Sequence, residues 1–274
     1  MSRLPDLLRV FDGAYLPSSE NALILVMGGL STSVSWLLQH FARACISGQN
    51  ISMTRSKDVQ QKVPVVFVSF MQDLEFYSRC FSKVGIDLTH MIAQKQIVFV
   101  DGFTGLLLGK PASKSPTDVF LNKDKYTTWI DTIRTEIFNL SPDIKPTLII
   151  ECLDVLHAMA VMTASEILHM IGSLQKLAGI TIVSACSANS MLTGSTNLAD
   201  QQDQMLLGLI RRAVAVFSLR PLSTGQAEDV TGMIRITRGG QLTYSGAVID
   251  EEEYHYFVGN GGSGAVKVFV KGRS

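Results

Sequence analysis

What this sequence has little of narrows the reading before any motif is sought. Its four cysteines, Cys45, Cys80, Cys152 and Cys186, stand far apart with no CxxC spacing, which argues against a disulfide framework and against a thiolate metal centre. Each falls in an apolar-periodic segment and is expected to be a buried thiol. Excess charge is also missing, since 24 acidic residues balance 24 basic ones. No overall field therefore draws the chain to nucleic acid or an anionic membrane, and any polyanion site must come from local clusters or partner chains. Long apolar runs are absent, and the amino terminus MSRLPDLLRVFDG has no apolar core flanked by a cleavage site, so neither a membrane span nor a secretory signal is expected. The expected compartment is reducing: the cytoplasm, with the nucleus also open.

What is present is a large apolar fraction, 46% of 274 residues, enough for a substantial core. Short runs rich in β-branched residues predict buried strands at Ala22–Met27, Val65–Phe70, Ile97–Val100, Thr147–Ile150 and Ile180–Ala185. Helical spacing lies between them: Val34, Leu37, Leu38, Phe41 and Cys45 share a face, as do Leu74, Tyr77, Phe81 and Val84, closed by Gly85. Trp129, Ile133 and Ile137, then Ile167, Ile171 and Leu174, repeat it. Continuous apolar strands alternating with amphipathic helices predict an α/β fold, a mostly parallel sheet covered on both faces. After about residue 212 the pattern changes to shorter strands separated by Thr-Gly, Gly-Gly and GNGGSG turns, expected to extend the sheet in antiparallel fashion. The expected organisation is one domain over 1–274, with a core at about 20–211 and a strand extension at about 212–274. Two long loops interrupt it, the lysine-rich Asp101–Lys125, expected as a mobile insertion, and the polar Ser187–Gln204, which has no lysine or arginine.

The stretch from Gly28 to Ser35 reads GGLSTSVS. A phosphate-binding loop, G-x-x-x-x-G-K-[ST], uses clustered backbone amides, a helix dipole and one lysine to hold phosphates. Here the second glycine is Ser33, the lysine is Val34 and the metal-coordinating hydroxyl survives as Ser35. Glu151, following strand Thr147–Ile150, stands where an acidic residue supports Mg²⁺, but Val65–Phe70 ends in Met71 and Gln72 with no glutamate to orient an attacking water. The nucleotide-binding candidates are thus Gly28, Gly29, Ser31, Thr32, Ser33, Ser35 and Glu151. The plainer reading makes the loop a tight turn whose hydroxyls cap the helix, and Glu151 the polar end of a buried strand. No catalytic and no metal-ligating residue is expected, and no cofactor is assigned to this chain.

The segment RPLSTGQAEDVTGMIRITRGG, Arg220 to Gly240, followed by VIDEEEYHYFV, resembles the carboxyl-terminal part of the sixth subunits of the Elongator complex. Length, strand order and the degenerate loop extend the resemblance over the chain. It implies a RecA-like P-loop NTPase fold and an alternating six-membered ring with the fourth and fifth Elongator subunits. It further implies docking on the catalytic Elongator subcomplex and tRNA binding linked to ATP, with ATP at ring interfaces, in support of wobble-uridine modification at carbon 5. An accessory, non-catalytic subunit follows from the resemblance. In such rings the loops after the fourth and fifth core strands face the pore, here about Leu153–Ala164 and Ser187–Gln204, where His157 is the sole potential cation. RNA-contact candidates are therefore Arg211 and Arg212, past the second loop, with Lys110 and Lys114 on the insertion. Arg235 and Arg238 are intersubunit candidates, offered in trans as ring ATPases offer an arginine. The segment joining the strands is expected to need Gly225 and Gly232 for unusual backbone angles. Two other readings stay open, an active recombinase-like NTPase acting on DNA and a purely structural ring adaptor.

Overall fold

The computed structural model describes residues 21–29, 31–47, 62–108, 119–121, 127–140, 144–187, 197–222, 225, 227, 229–241, 251–259 and 266–270. Among these described residues, ten strands form one sheet in the order β10-β9-β8-β7-β1-β6-β5-β2-β3-β4. Strands β1 (Ala22–Gly28), β2 (Val65–Ser69), β3 (Ile97–Asp101), β4 (Val119–Phe120), β5 (Thr147–Glu151), β6 (Ile180–Cys186) and β7 (Ala215–Arg220) run parallel. Strands β8 (Gly232–Arg238), β9 (Glu252–Val258) and β10 (Val266–Val270) continue from β7 antiparallel. The five expected strands are all present, each within one residue of its expected end.

Why the parallel strands are continuously apolar is plain from where alternate residues go. On β1, Ala22, Ile24 and Val26 join one apolar cluster, and Leu23 and Leu25 join another on the opposite face. The first face is covered by α1 (Ser35–Ser47), α2 (Leu74–Lys83) and α3 (Leu88–Ala93). The second is covered by α4 (Gly102–Leu108), α5 (Trp129–Leu140), α6 (Asp154–Ala158), α7 (Ala164–Gln175) and α8 (Asn197–Arg212). Phe67 centres an aromatic group on the first face, with ring centroids 4.7 Å from Tyr77, 6.2 Å from Phe81 and 5.9 Å from Phe99. Asp73 caps α2 by accepting from Phe76 N at 2.8 Å, and Thr163 and Glu166 form a reciprocal capping box on α7.

Helix α1 serves both halves of the sheet. Phe41 meets Phe217 edge-on at 5.8 Å, and Trp36 lies 5.1 Å from Tyr256. His40, one turn after Trp36, is 4% exposed, and burial, reinforced by Arg43, pulls its pKa down to about 4.

Three expectations are revised. The stretch after β3 begins as an ordered helix: Asp101 accepts from Thr104 N and from Thr104 Oγ1, both at 2.7 Å, starting α4, and β4 then pairs with β3. Of the cysteines only Cys45 is fully buried, and Cys80, Cys152 and Cys186 are half-buried, the last two because they stand at strand ends. Gly225 does take a positive φ of 92°, but Gly232 is needed for space, since a Cβ there would lie 2.7 Å from Arg220 O and 2.8 Å from the Tyr256 hydroxyl.

Candidate functional site

The loop after β1 lies at the carboxyl ends of the parallel strands. Strand β1 is flanked by β6 and β7, while the chain leaving α1 returns at β2, beyond β6 and β5. Such a switch point is where open α/β sheets bind ligands. Within the loop, Thr32 donates through its backbone N (3.1 Å) and Oγ1 (2.7 Å) to Gly29 O. Ser31 holds a φ of 67°. Gly29 N donates to Leu219 O at 2.9 Å, tying the loop to β7. Val34, at the position that the spacing assigns to the lysine, is buried against Gly28, where a Cβ would stand 2.8 Å from Val34 Cγ1 and 3.4 Å from Thr32 Oγ1. The loop's own side chains thus fill the space over Gly28.

Below the loop, Glu151 is 0% exposed. Ser35 Oγ donates to its Oε1 and Ser69 Oγ to its Oε2, both at 2.7 Å. Ser69 Oγ in turn accepts from Gln72 N at 3.0 Å and Met71 N at 3.3 Å. One carboxylate therefore joins the start of α1, the end of β2 and the end of β5. Tyr77 lies beside it, its hydroxyl buried with no hydrogen-bond partner among the described residues. Burial first, then the charge of Glu151, pushes that phenol's pKa up. Sequence reasoning found Ser35 and Glu151 but missed Ser69 and Tyr77. The signal for Ser69 was a hydroxyl ending the wholly apolar run VVFV, and for Tyr77 a phenol among the core positions of a helix.

The described part of the loop offers no charge to grip a nucleotide's phosphates. No lysine is present in the loop, the space over Gly28 is filled, and both Glu151 oxygens accept internal hydroxyls. Gly28, Gly29 and Thr32 build the turn, Ser31 and Ser33 are exposed on it, and Ser35 belongs to the carboxylate link.

At the ends of β5 and β6, Cys152 takes a positive φ of 56° and donates its backbone N to Ser184 Oγ at 2.9 Å. Asp154 Oδ1 accepts from Cys186 N at 3.1 Å, and burial raises the Asp154 carboxyl. His157, expected as a cation of the pore loops, is buried, its ring nitrogens 3.4 Å from Met162 O and 3.3 Å from Leu198 O. It links α6 to the start of α8.

The structure separates the basic candidates. Helix α8 starts beside α6 and ends beside the first residue of β7, so Arg211 and Arg212 lie a full helix length from its first residue, Asn197. Arg212 NH1 donates to Leu168 O at 2.7 Å, and Arg211 is exposed. Lys110 and Lys114 lie outside the described residues. Arg235 and Arg238 are both exposed but three residues apart on one strand, so they alternate faces. Arg238 stands at the edge of the sheet opposite the Gly28 loop, where the following Gly239 and Gly240 pack against Ala213 and Arg211. The triplet Glu251–Glu253 runs into β9, and Glu253 pairs with Arg220.

The fold is that of the RecA-like class, a mostly parallel sheet covered by helices on both faces and extended by antiparallel strands. A solved KaiC-like protein from the archaeon Pyrococcus horikoshii superposes with a TM-score of 0.56 at 14% identity, over 94% of this chain and 97% of that one. The Elongator complex protein 6 homolog of Schizosaccharomyces pombe is 24% identical over 259 residues, 92% of each chain. The family model described as Elongation complex protein 6 matches residues 18–260. The chain belongs to that family, as the carboxyl-terminal resemblance implied.

Proposed function

We propose that the chain is a non-catalytic subunit of Elongator. It joins the fourth and fifth subunits in an alternating six-membered ring that binds tRNA in an ATP-linked way and supports wobble-uridine modification at carbon 5. Family membership supports the Elongator assignment. The observation that carries the non-catalytic part is the closed loop, with Val34 packed on Gly28 and Glu151 enclosed by Ser35 and Ser69. Catalysis of phosphoryl transfer rests on charge placed around the transferred group, and this loop offers neither an exposed cation nor an open carboxylate. The remaining role for the architecture is assembly.

The test is co-expression with the fourth and fifth subunits, followed by mass measurement and an ATPase assay of the isolated chain. A complex of six chains and no hydrolysis by this subunit alone are expected. Failure to enter a mixed complex overturns the ring assignment, and hydrolysis by the isolated chain overturns the non-catalytic one.

A further inference from the structure

The antiparallel strands bury one face only. Ile234, Ile236, Tyr254, Tyr256, Val266 and Val268 join the cluster under α1. The alternate residues point to the other side, where Met233, Phe257 and Phe269 are half-buried and belong to neither apolar cluster among the described residues. Helix α8 reaches this side of the sheet only as far as Val216 on β7.

Among the described residues, what crosses this face is an ion pair. Arg220 on β7 and Glu253 on β9 meet across the intervening β8, with side chains 47% and 21% exposed. Two side chains joined over the top of a strand leave no room for a helix seated on that strand.

The pairing register gives the face a definite pattern. One row crosses the sheet as Arg220, Met233, His255 and Phe269, and the next as Ser218, Arg235 and Glu253. Lys267 stands directly opposite Phe257. The two phenylalanines are diagonal neighbours on β9 and β10, about 7 Å apart by sheet geometry, each beside a basic or imidazole side chain. Among the described residues, Arg220, Arg235 and Lys267 outnumber Glu253, which is already used by Arg220, and Glu251 at the entry to β9, which accepts from Arg238 N.

From this we propose that the open face of β7 to β10 binds single-stranded RNA. Aromatic rings on a sheet stack unpaired bases, and flanking cations follow the phosphates. The proposal rests on the RNA-binding role proposed above and locates it in this chain, on the sheet face rather than on the pore loops or the end of α8. It also explains how a chain with no net charge can hold a polyanion, since the charge is local.

The experiment measures anisotropy of a fluorescein-labelled oligouridylate of about twenty nucleotides with the full chain, at about 50 and about 200 mM salt. The Arg235→Ala, Lys267→Ala double variant is expected to weaken binding at least about tenfold at the lower salt and to flatten the logarithmic salt slope by about 1.4. Phe257→Leu with Phe269→Leu is expected to weaken it about tenfold at both salts with the slope unchanged. Arg79→Ala, on α2, is the charge-removal control and keeps full affinity.

Binding equal to that of the unaltered chain in both double variants overturns the proposal. So does a loss of RNA binding accompanied by a loss of assembly with the other two subunits, which makes the face a protein interface. A ring that forms normally around a chain indifferent to these substitutions sinks the face alone and leaves the Elongator role standing.

Discussion

Strands β1, β2, β5 and β6 bury apolar side chains on both faces, whereas among the described residues β8, β9 and β10 bury them fully on one. Helices cover the parallel half on both sides because every crossover between parallel strands must pass over a face. Antiparallel neighbours need no crossover over a face, and among the described residues the helix-covered cluster on the second face takes in nothing from β8 to β10. The second face of the antiparallel half is therefore left to polar and half-buried residues, and that is the surface with spare chemistry. The phosphate loop, in the covered half, has lost its spare chemistry to packing.

The sharpest way to break this comparison is to remove one phenyl ring from each half. Phe67→Ala takes away the centre of the Tyr77, Phe81 and Phe99 group and is expected to cost about 4 kcal/mol in urea unfolding. Glu151→Ala strands the buried Ser69 hydroxyl and the half-buried Ser35 hydroxyl and should cost about 3 kcal/mol by the same measurement. A cost below that of an ordinary surface substitution would mean that Glu151 does not tie the loop to the sheet.

Helix α1 belongs to both halves, and its His40 gives a pH test. Burial lowers the folded pKa to about 4 from 6.5, so the unfolded chain takes up a proton first as pH falls. His40 thus favours the fold fully above about pH 6.5, and that contribution fades as pH drops toward 4, up to about 3 kcal/mol. Urea midpoints measured across that window should show the loss, and His40→Leu should remove it.

Smaller effects are expected from the loop. Val34→Lys with Ser33→Gly restores the residues of a phosphate loop but unpacks Val34 from Gly28, costing about 1 to 2 kcal/mol. Equilibrium dialysis with ATP should show no gain in binding, and a gain would mean that the backbone cradle survives beneath Val34. Smallest of all is Phe257→Ala on the open face, expected to change stability by less than about 1 kcal/mol. A cost comparable to Phe67→Ala would show that this face is covered after all.

Most of the layered fold was legible because its signals are local. Apolar runs such as VVFV and the 3.6-residue spacing of α5 and α7 survive any arrangement of the elements they form. The candidate site was only partly legible. Val34 could be read as both a missing lysine and a packing residue, but the bonds from Ser35 and Ser69 to Glu151 join residues up to 116 positions apart. No spacing rule reaches that far. The basic candidates failed to group for a similar reason: Arg211 and Arg212 follow the second loop in sequence, yet the rise of an α-helix carries them to the opposite edge of the sheet.

The sequence by itself determined the α/β class, the buried strands, the loss of a phosphate-gripping charge and the family, since each depends on residue type and short spacing. Tertiary structure alone decided that Glu151 is a buried crosslink and that His157 is a link between helices. It alone assembled Arg235, Lys267, Phe257 and Phe269 on one open face. Those outcomes depend on strand order and register, which arise when distant segments pack to remove apolar surface from water, and no single segment carries that information.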